Sequence, residues 1–170
     1  PKSEQDTRLN PSNETEEQTD NPIITPEEEG RIVWQKPEEV IELLGDLSDK
    51  TIADIGAGTG YFTFRFALKA KKVLAIDINP KMIQILESFR MKLPVEIQEK
   101  IEPRPALPND PKLKPGEADI IVIINTIGYI ENRKTYLGNL KDGLAENGEI
   151  MILDFKMKNI PITAPPMEYR

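Results

Sequence analysis

ADIGAGTGYF, which spans Ala53 to Phe62, is the stretch of this 170-residue chain that decides its fold. The apolar residues before it predict the end of a buried parallel strand, and the residues from Tyr61 to Lys71 predict a helix. Three glycines between a strand and a helix let the backbone turn tightly and approach a ligand beside the positive end of that helix. The stretch therefore predicts a ligand-binding turn at the edge of a parallel sheet.

The glycine spacing narrows the class of ligand. It is G-x-G-x-G, with Tyr61 where a dinucleotide fingerprint, G-x-G-x-x-G, needs its third glycine. Asp54 stands two residues before Gly56, and its carboxylate would repel a pyrophosphate but suit a ligand that carries an ammonium group. S-adenosylmethionine (SAM) is such a ligand, and a nicotinamide-dependent oxidoreductase is disfavoured.

A second acidic residue closes the next apolar run, in VLAIDINPKM, Val73 to Met82. Asp77 lies 17 residues after Gly60, which leaves room for one crossover helix and one short strand. Asp77 could hold a ligand at the end of that strand. The alternative is that it only caps the following helix, near whose start Pro80 stands.

Together the two segments resemble those of the class I SAM-dependent methyltransferases. The resemblance implies that the glycine loop passes under the methionine and ribose part of SAM, and that Asp77 holds both ribose hydroxyls. The product would be S-adenosylhomocysteine. The cofactor-binding residues that follow from these two segments are Asp54, Ile55, Gly56, Ala57, Gly58, Thr59, Gly60, Tyr61, Asp77 and Ile78.

The resemblance extends from Arg31 to Arg170 and is closest to small bacterial methyltransferase domains with three further elements. These are WQKP (Trp34 to Pro37), a D-P-x-L loop (Asp110 to Leu113) and a terminal P-P-x-E-x-R (Pro165 to Arg170). Gln35 would bond the SAM carboxylate. Trp34 either closes the cofactor cleft or anchors the first helix on the sheet.

Three more polar residues are candidates for cofactor contacts because of their positions in the family. Asn109 or Asp110 would read the adenine amino group, although both are also typical turn formers. Asn125 ends the fourth strand, where relatives contact the methionine end, although it could instead satisfy loop backbone groups. No motif names the acceptor, since Thr126 to Tyr129 lacks the prolines of the (N/D)-P-P-(Y/F) sequence of adenine and glutamine N-methyltransferases.

The composition limits the chemistry. The chain has no Cys and no His, which excludes disulfides, zinc clusters and Cys or His catalysis, and no metal-ligand cluster is visible. Methyl transfer needs a general base only if the acceptor must first lose a proton. The weak candidates for a catalytic role, some of which are equally explained as structural residues, are Tyr129, Tyr169, Glu168 and Asp154.

The charge lies in the first thirty residues. Pro1 to Gly30 carries nine acids and two bases, so the whole formal net charge of −7 belongs to this segment. Without aromatic residues and with four prolines, it is expected to be a disordered acidic tail before a domain at 31–170. The neutral domain disfavours nucleic acid as a partner, which leaves a small molecule or a protein as the acceptor. We expect a cytoplasmic protein without a membrane span; the alternative is export or tethering through the tail.

The pattern of the remaining segments predicts an α/β fold, a Rossmann-like doubly wound and mainly parallel sheet. The family order, 3-2-1-4-5, places the strand Ile101 to Ala106 at an edge, where Pro103 and Pro105 are tolerated. A helix over Arg133 to Glu146 should precede the fifth strand, Glu149 to Phe155. The C-terminal strands of the family are then absent, which leaves an apolar edge for missing residues or a second copy of the chain in a homodimer.

Two functions fit this sequence. The first is a SAM-dependent methyltransferase that aligns its acceptor for in-line displacement. The second is a non-catalytic SAM-binding sensor or protein-interaction module that acts through the acidic tail. An open acceptor pocket around Asn125, Tyr129 and Tyr169 would favour the enzyme, and a plugged one the module.

Overall fold

Five strands form one parallel sheet in the computed structural model, which describes residues 35–156. The strands are β1 (Thr51–Ile55), β2 (Lys72–Asp77), β3 (Ile101–Pro105), β4 (Ala118–Ile124) and β5 (Leu144–Leu153). The helices are α1 (Pro37–Leu43), α2 (Tyr61–Ala67), α3 (Pro80–Arg90), α4 (Val95–Gln98) and α5 (Arg133–Gly143), with a 3-10 turn at Ile127–Tyr129. The tail, Trp34 and the terminal P-P-x-E-x-R element lie outside the described residues.

The strand order is β3-β2-β1-β4-β5, which confirms the order and the Rossmann-like fold predicted from the sequence. β1 pairs in parallel with both β2 and β4, so the direction of winding reverses between β1 and β4. In open parallel sheets, ligands bind outside the carboxyl ends of the strands at such a reversal. The two prolines of β3 lie at the edge of the sheet, as predicted.

Both faces of the sheet are buried, because helices cover each of them. Alternate strand residues such as Ile52 and Val73 pack against α1, α2 and α3, whereas Ile55 and Ile76 pack against α5. Helix α2 is buried along its whole length, and its Phe62 and Phe66 rings stack at 5.9 Å between centroids. The turn between β1 and α2 is therefore fixed at both ends by the core.

The end of helix α5 differs from the prediction. The helix stops at Gly143 and not at Glu146, and β5 begins at the next residue. Gly143 leaves no room for a side chain, since a Cβ there would lie 2.8 Å from the Leu113 side chain. The register between β4 and β5 then jumps, and Asn147 in the displaced segment takes a φ of +62°. The Asn-Gly pair thus makes a bulge within β5.

Strand β5 lies at the edge of the described sheet, paired with β4 alone among residues 35–156. Its Ile152 side chain is 45% exposed, as expected for an apolar edge. Whether residues after 156 cover this edge lies outside the described part of the chain.

An ion-pair cluster fixes the segment that leads from β3 to β4. Arg104 on β3 donates from Nη1 to Glu117 Oε2 at 2.7 Å and from Nη2 to Glu117 Oε1 at 2.8 Å. The same guanidinium contacts Glu102 and the carbonyl of Lys112. The Arg104 and Glu117 side chains are only 12% and 15% exposed, so solvent screens their pairing weakly. The cluster thereby holds residues 106–117 against the sheet.

We expect Glu117→Gln to lower the free energy of unfolding by about 2 kcal/mol at pH 7, because it removes a bidentate, charge-assisted pair. The Arg104 guanidinium lowers the pKa of Glu117 to about 2. This contribution is therefore complete above the unfolded pKa of about 4.3 and is lost as the pH falls towards 2. Urea unfolding at pH 7 and pH 3 measures it.

The exposed pair of Asp49 and Lys50 provides the control for that experiment. Asp49→Asn should change stability by less than about 0.5 kcal/mol at either pH. An equal loss in both variants would contradict a specific role for Glu117.

Candidate functional site

A cavity of about 570 Å³ opens where β1, β2 and β4 end, at the reversal of strand order. Three groups of residues line it, from the ends of β1 and β2, from the segment after β3, and from the β4–α5 loop with the start of α5. They are Ile55, Gly56, Ile76, Asp77, Ile78, Ala106, Pro108, Asn109, Asn125, Thr126, Tyr129, Ile130, Glu131, Asn132, Thr135 and Tyr136.

The glycine loop is shaped by positions that exclude a side chain. Gly56 has a φ of +77°, and a Cβ there would lie 2.3 Å from Thr126 Oγ1. Its N–H and that of Ala57 donate to the Ile76 carbonyl at 2.8 and 3.0 Å, which ties the loop to the end of β2. Gly58 has a φ of +56° and open space around the position of a Cβ. The start of the loop is thus anchored to β2, while open space at Gly58 would let a ligand approach the backbone.

Asp77 connects the end of β2 to the glycine loop. The Gly58 N–H donates to Asp77 Oδ2 at 2.8 Å, and the Asn79 N–H donates to Oδ1 at 2.8 Å. The interpretation of Asp77 as the cap of the next helix is wrong, because the N-cap is Asn79, whose side chain accepts from the Lys81 N–H. Asp77 instead lines the cavity, and each carboxylate oxygen keeps capacity to accept a further hydrogen bond.

Asp54 lies beneath the loop and does not line the cavity. Its side chain is 3% exposed and points towards α2, where the Thr63 hydroxyl donates to Oδ2 at 2.7 Å. Burial raises the pKa of Asp54 to about 6, and the charge of Asp77 adds to this. Asp54 can therefore influence a cation at the loop through its charge, while the direct contact to an ammonium group stays a prediction.

The β4–α5 loop forms the opposite wall. The Asn125 N–H donates to the Leu153 carbonyl at 2.8 Å, which extends the pairing with β5, and a φ of +53° at Asn125 then turns the chain. Tyr129 is 53% exposed on this wall. Tyr136 is buried on α5, and burial raises its pKa to about 12, which disfavours its phenolate form.

The cavity brings together only part of the predicted set. Among the predicted cofactor contacts, the lining includes Ile55, Gly56, Asp77, Ile78, Asn109 and Asn125, and it also includes the catalytic candidate Tyr129. The other predicted cofactor contacts, apart from Asp54, are not among the lining residues, and these are Ala57, Gly58, Thr59, Gly60, Tyr61, Asp110 and Gln35. Glu168 and Tyr169 lie outside the described residues.

The structure bears on the polar residues for which the sequence left both a functional and a structural role open. Asn109 lines the cavity, whereas the Asp110 carboxylate accepts from the Lys112 N–H at 2.8 Å and pairs with Lys112 Nζ, as a turn former does. Asp154 accepts from the Phe155 N–H and does not line the cavity. Within residues 35–156, Gln35 Oε1 is buried without a hydrogen-bond partner, and so is Asp154 Oδ2.

Sequence reasoning missed most of the α5 side of the cavity, where Ile130, Glu131, Asn132, Thr135 and Tyr136 contribute. One feature of the sequence could have found these residues. The segment directly follows the clearest buried strand, and residues beyond a strand end border the ligand site in parallel sheets. No residue pattern within the segment marks it as a wall.

No group of three or more acidic side chains in residues 35–156 could hold a metal ion. None of the helices in that range is long and apolar enough to cross a membrane.

Comparison with known proteins identifies the family. Residues 53–150 match the model of a methyltransferase domain. The chain is 32% identical over 84 residues to magnesium-protoporphyrin O-methyltransferase of Rhodobacter capsulatus, covering 49% of this chain and 35% of that protein. It is 44% identical over 50 residues to a probable cobalt-precorrin-6B C(15)-methyltransferase of Methanobrevibacter smithii, covering 27% of each. The chain thus spans about a third or less of these curated relatives.

Solved structures support the same assignment of the fold. A SAM-dependent methyltransferase from Aquifex aeolicus superimposes with a TM-score of 0.71 at 24% identity, covering 78% of this chain and 70% of that one. A phosphoethanolamine N-methyltransferase of Haemonchus contortus, solved with S-adenosylhomocysteine, gives a TM-score of 0.62 at 21% identity and covers 72% and 26%. With the strand order, the glycine loop and the match over residues 53–150, this chain belongs to the class I SAM-dependent methyltransferase family.

Proposed function

We propose that this chain binds SAM in the cavity and transfers its methyl group to an acceptor, releasing S-adenosylhomocysteine. The observation that carries the proposal is the position of Asp77. Its carboxylate lines the cavity at the reversal of strand order and accepts from the Gly58 N–H of the glycine loop at 2.8 Å. A paired ribose hydroxyl is the kind of donor that a carboxylate in this position accepts.

The size and charge of the cavity fit this cofactor. A volume of about 570 Å³ is in the range of small-molecule sites. Within residues 35–156, the lining residues with a formal charge are Asp77 and Glu131, both acidic, which suits a ligand with a sulfonium and an ammonium group. Ile78 is 56% exposed and offers an apolar surface for a flat base, while the Asn109 side chain could pair with its amino group.

Positioning is the main contribution of this chain to the chemistry. SAM, when bound, supplies a methyl group already activated by the positive sulfur. The walls on either side of Asp77 and Asn125 would hold the reacting groups in line and exclude water, and alignment of this kind can supply about 7 to 11 kcal/mol. Tyr129 lines the cavity and could assist an acceptor that must lose a proton. Tyr136 is disfavoured in that role, because burial raises its pKa to about 12.

The proposed acceptor is a small molecule or a protein. Nucleic acid is disfavoured because the formal charge of residues 31–170 is balanced. We place the protein in the cytoplasm, where SAM is made and used; export through the N-terminal tail is the alternative. A homodimer through the β5 edge would cover the exposed Ile152. The cofactor site requires no metal ion in this proposal.

Calorimetry with SAM, S-adenosylhomocysteine and NADH tests the proposal on the full chain. We expect micromolar binding of the first two and none of NADH, because the glycine spacing and the acidic lining fit the sulfur ligands. A folded chain that binds neither sulfur ligand would contradict the cofactor assignment. Binding without turnover of methyl-labelled SAM, over a panel of amines, phenols, thiols and proteins, would indicate the non-catalytic sensor.

A further inference from the structure

The loop wall of the cavity is tied to helix α5 by one guanidinium. Arg133 Nε donates to the Ile127 carbonyl at 2.9 Å, and its Nη2 donates to the Gly128 carbonyl at 2.9 Å. Both carbonyls belong to the 3-10 turn whose last residue, Tyr129, lines the cavity. The side chain therefore bridges the start of α5 and the turn that precedes it.

Arg133 stands where a cation is unfavourable for the helix itself. It is the first residue of α5, Lys134 follows it, and the first turn contains no acidic residue. Cations at this end oppose the helix dipole, and the N-cap, Asn132, makes no side-chain cap that would compensate. Any stabilisation that Arg133 contributes thus comes from its hydrogen bonds to the loop and not from the helix. A planar guanidinium can donate to two adjacent carbonyls at once, whereas an ammonium group acts as a single point charge.

The segment that Arg133 holds makes up much of one wall. From Asn125 to Asn132, six residues line the cavity, and they connect β4 to α5 in a stretch with a single 3-10 turn as its regular structure. A loop of this kind loses conformational freedom when a ligand binds, and a contact that orders it beforehand reduces that loss. Because the two Arg133 bonds reach the middle of the stretch, they restrict it where Tyr129 and Ile130 face the cavity.

We infer that Arg133 is a positioning residue, which holds the 3-10 turn so that Tyr129 and Ile130 present a preformed wall to the bound ligand. The inference rests on the proposed function, since that ligand is SAM. Arg133 itself does not line the cavity. Its role is to set the shape of the wall. Lys134 is the adjacent cation, its side chain makes no hydrogen bond or ion pair with residues 35–156, and it should not share this role.

Three variants of the full chain test this role: Arg133→Ala, Arg133→Lys and Lys134→Ala. The first readout, without ligand, is amide hydrogen exchange over residues 126–130. We expect exchange to be about tenfold faster in Arg133→Ala, intermediate in Arg133→Lys and unchanged in Lys134→Ala. The second readout is calorimetry with S-adenosylhomocysteine, where Arg133→Ala should bind about tenfold more weakly and Lys134→Ala as the wild type does.

Methylguanidinium at millimolar concentration should restore part of the affinity of Arg133→Ala and leave Arg133→Lys unaffected, because it can occupy the vacated space of the guanidinium. Unchanged exchange at residues 126–130 in Arg133→Ala would overturn the inference, as would equal weakening of binding in Arg133→Ala and Lys134→Ala. If the wild type binds no sulfur ligand, the proposed function fails, and the exchange readout still decides whether Arg133 holds the turn.

Discussion

Replacing Asp77 by alanine should weaken the binding of SAM and S-adenosylhomocysteine by about 100-fold. The variant loses an ionised acceptor that lines the cavity and that would take both ribose hydroxyls. A hydrogen bond to a charged group contributes about 1.5 to 3 kcal/mol, so the loss of two such bonds makes about 3 kcal/mol a conservative expectation. The variant also frees the Gly58 N–H, now 2.8 Å from Asp77 Oδ2, which loosens the glycine loop. Calorimetry on the full chain measures both ligands.

Two further variants separate ligand contact from loop support. Asp77→Asn keeps one oxygen acceptor for the Gly58 N–H but removes the charge, and we expect about a tenfold loss. Asp110→Asn is the matched control, since this half-exposed carboxylate does not line the cavity and bonds locally with Lys112. It should bind as the wild type does. Wild-type affinity in a folded Asp77→Ala variant would show that the carboxylate only supports the loop.

The sequence was sufficient for the elements of the fold because strand, turn and helix signals are local in the chain, whereas the order of the strands followed from the family resemblance. The glycines after β1 specify a strand–turn–helix unit, and the apolar strands specify burial on both faces. The break between α3 and α4 at Pro94 and the edge position of β3 follow from proline chemistry in the same way. These features need no knowledge of distant contacts.

The features that the sequence did not predict depend on tertiary contacts. Gly143, the last residue of helix α5, lies against the Leu113 side chain, thirty residues earlier in the chain, which leaves no space for a Cβ there. Gly56 is required as much by Thr126, across the cavity edge, as by its own φ. The sequence also does not distinguish Asp110 from Asn109 as a cofactor contact. In the structure Asp110 pairs with Lys112 in a turn. Propensity rules carry no information about such neighbours.

For Asp54, the sequence indicated a carboxylate near the glycine loop but did not show that its side chain is buried. A strand-end carboxylate near a glycine loop suggested direct contact with a ligand, and the structure buries it against Thr63 instead. A carboxylate without solvent is unfavourable when ionised. The ionised Asp54 beneath the loop therefore lowers the stability of the folded chain, and a positively charged ligand above it would offset this loss.

We expect Asp54→Asn to raise the free energy of unfolding at pH 8 by about 3 kcal/mol. Burial first, and then the charge of Asp77, raise the pKa of Asp54 from 3.8 to about 6 in the folded chain. A folded pKa about two units above the unfolded one penalises the ionised form by about 3 kcal/mol. This penalty is complete above pH 6 and is relieved as the pH falls towards 4, because the folded state then binds the proton first. Urea unfolding between pH 4 and 8 measures it.

The stability advantage of Asp54→Asn should accordingly shrink below pH 6 and nearly vanish at pH 4. Asp49→Asn, an exposed control, should stay close to the wild type throughout.

The affinity of the wild type for SAM should depend on pH in the opposite direction to its stability. A cation held at the glycine loop favours the ionised Asp54, so the affinity of the wild type for SAM should rise as the pH increases through 6 and be flat in the variant. A variant that is more stable at pH 8 but binds SAM with unchanged affinity at every pH would confine Asp54 to a structural role. A variant no more stable at pH 8 than the wild type would show that Asp54 is solvated or paired in the folded chain.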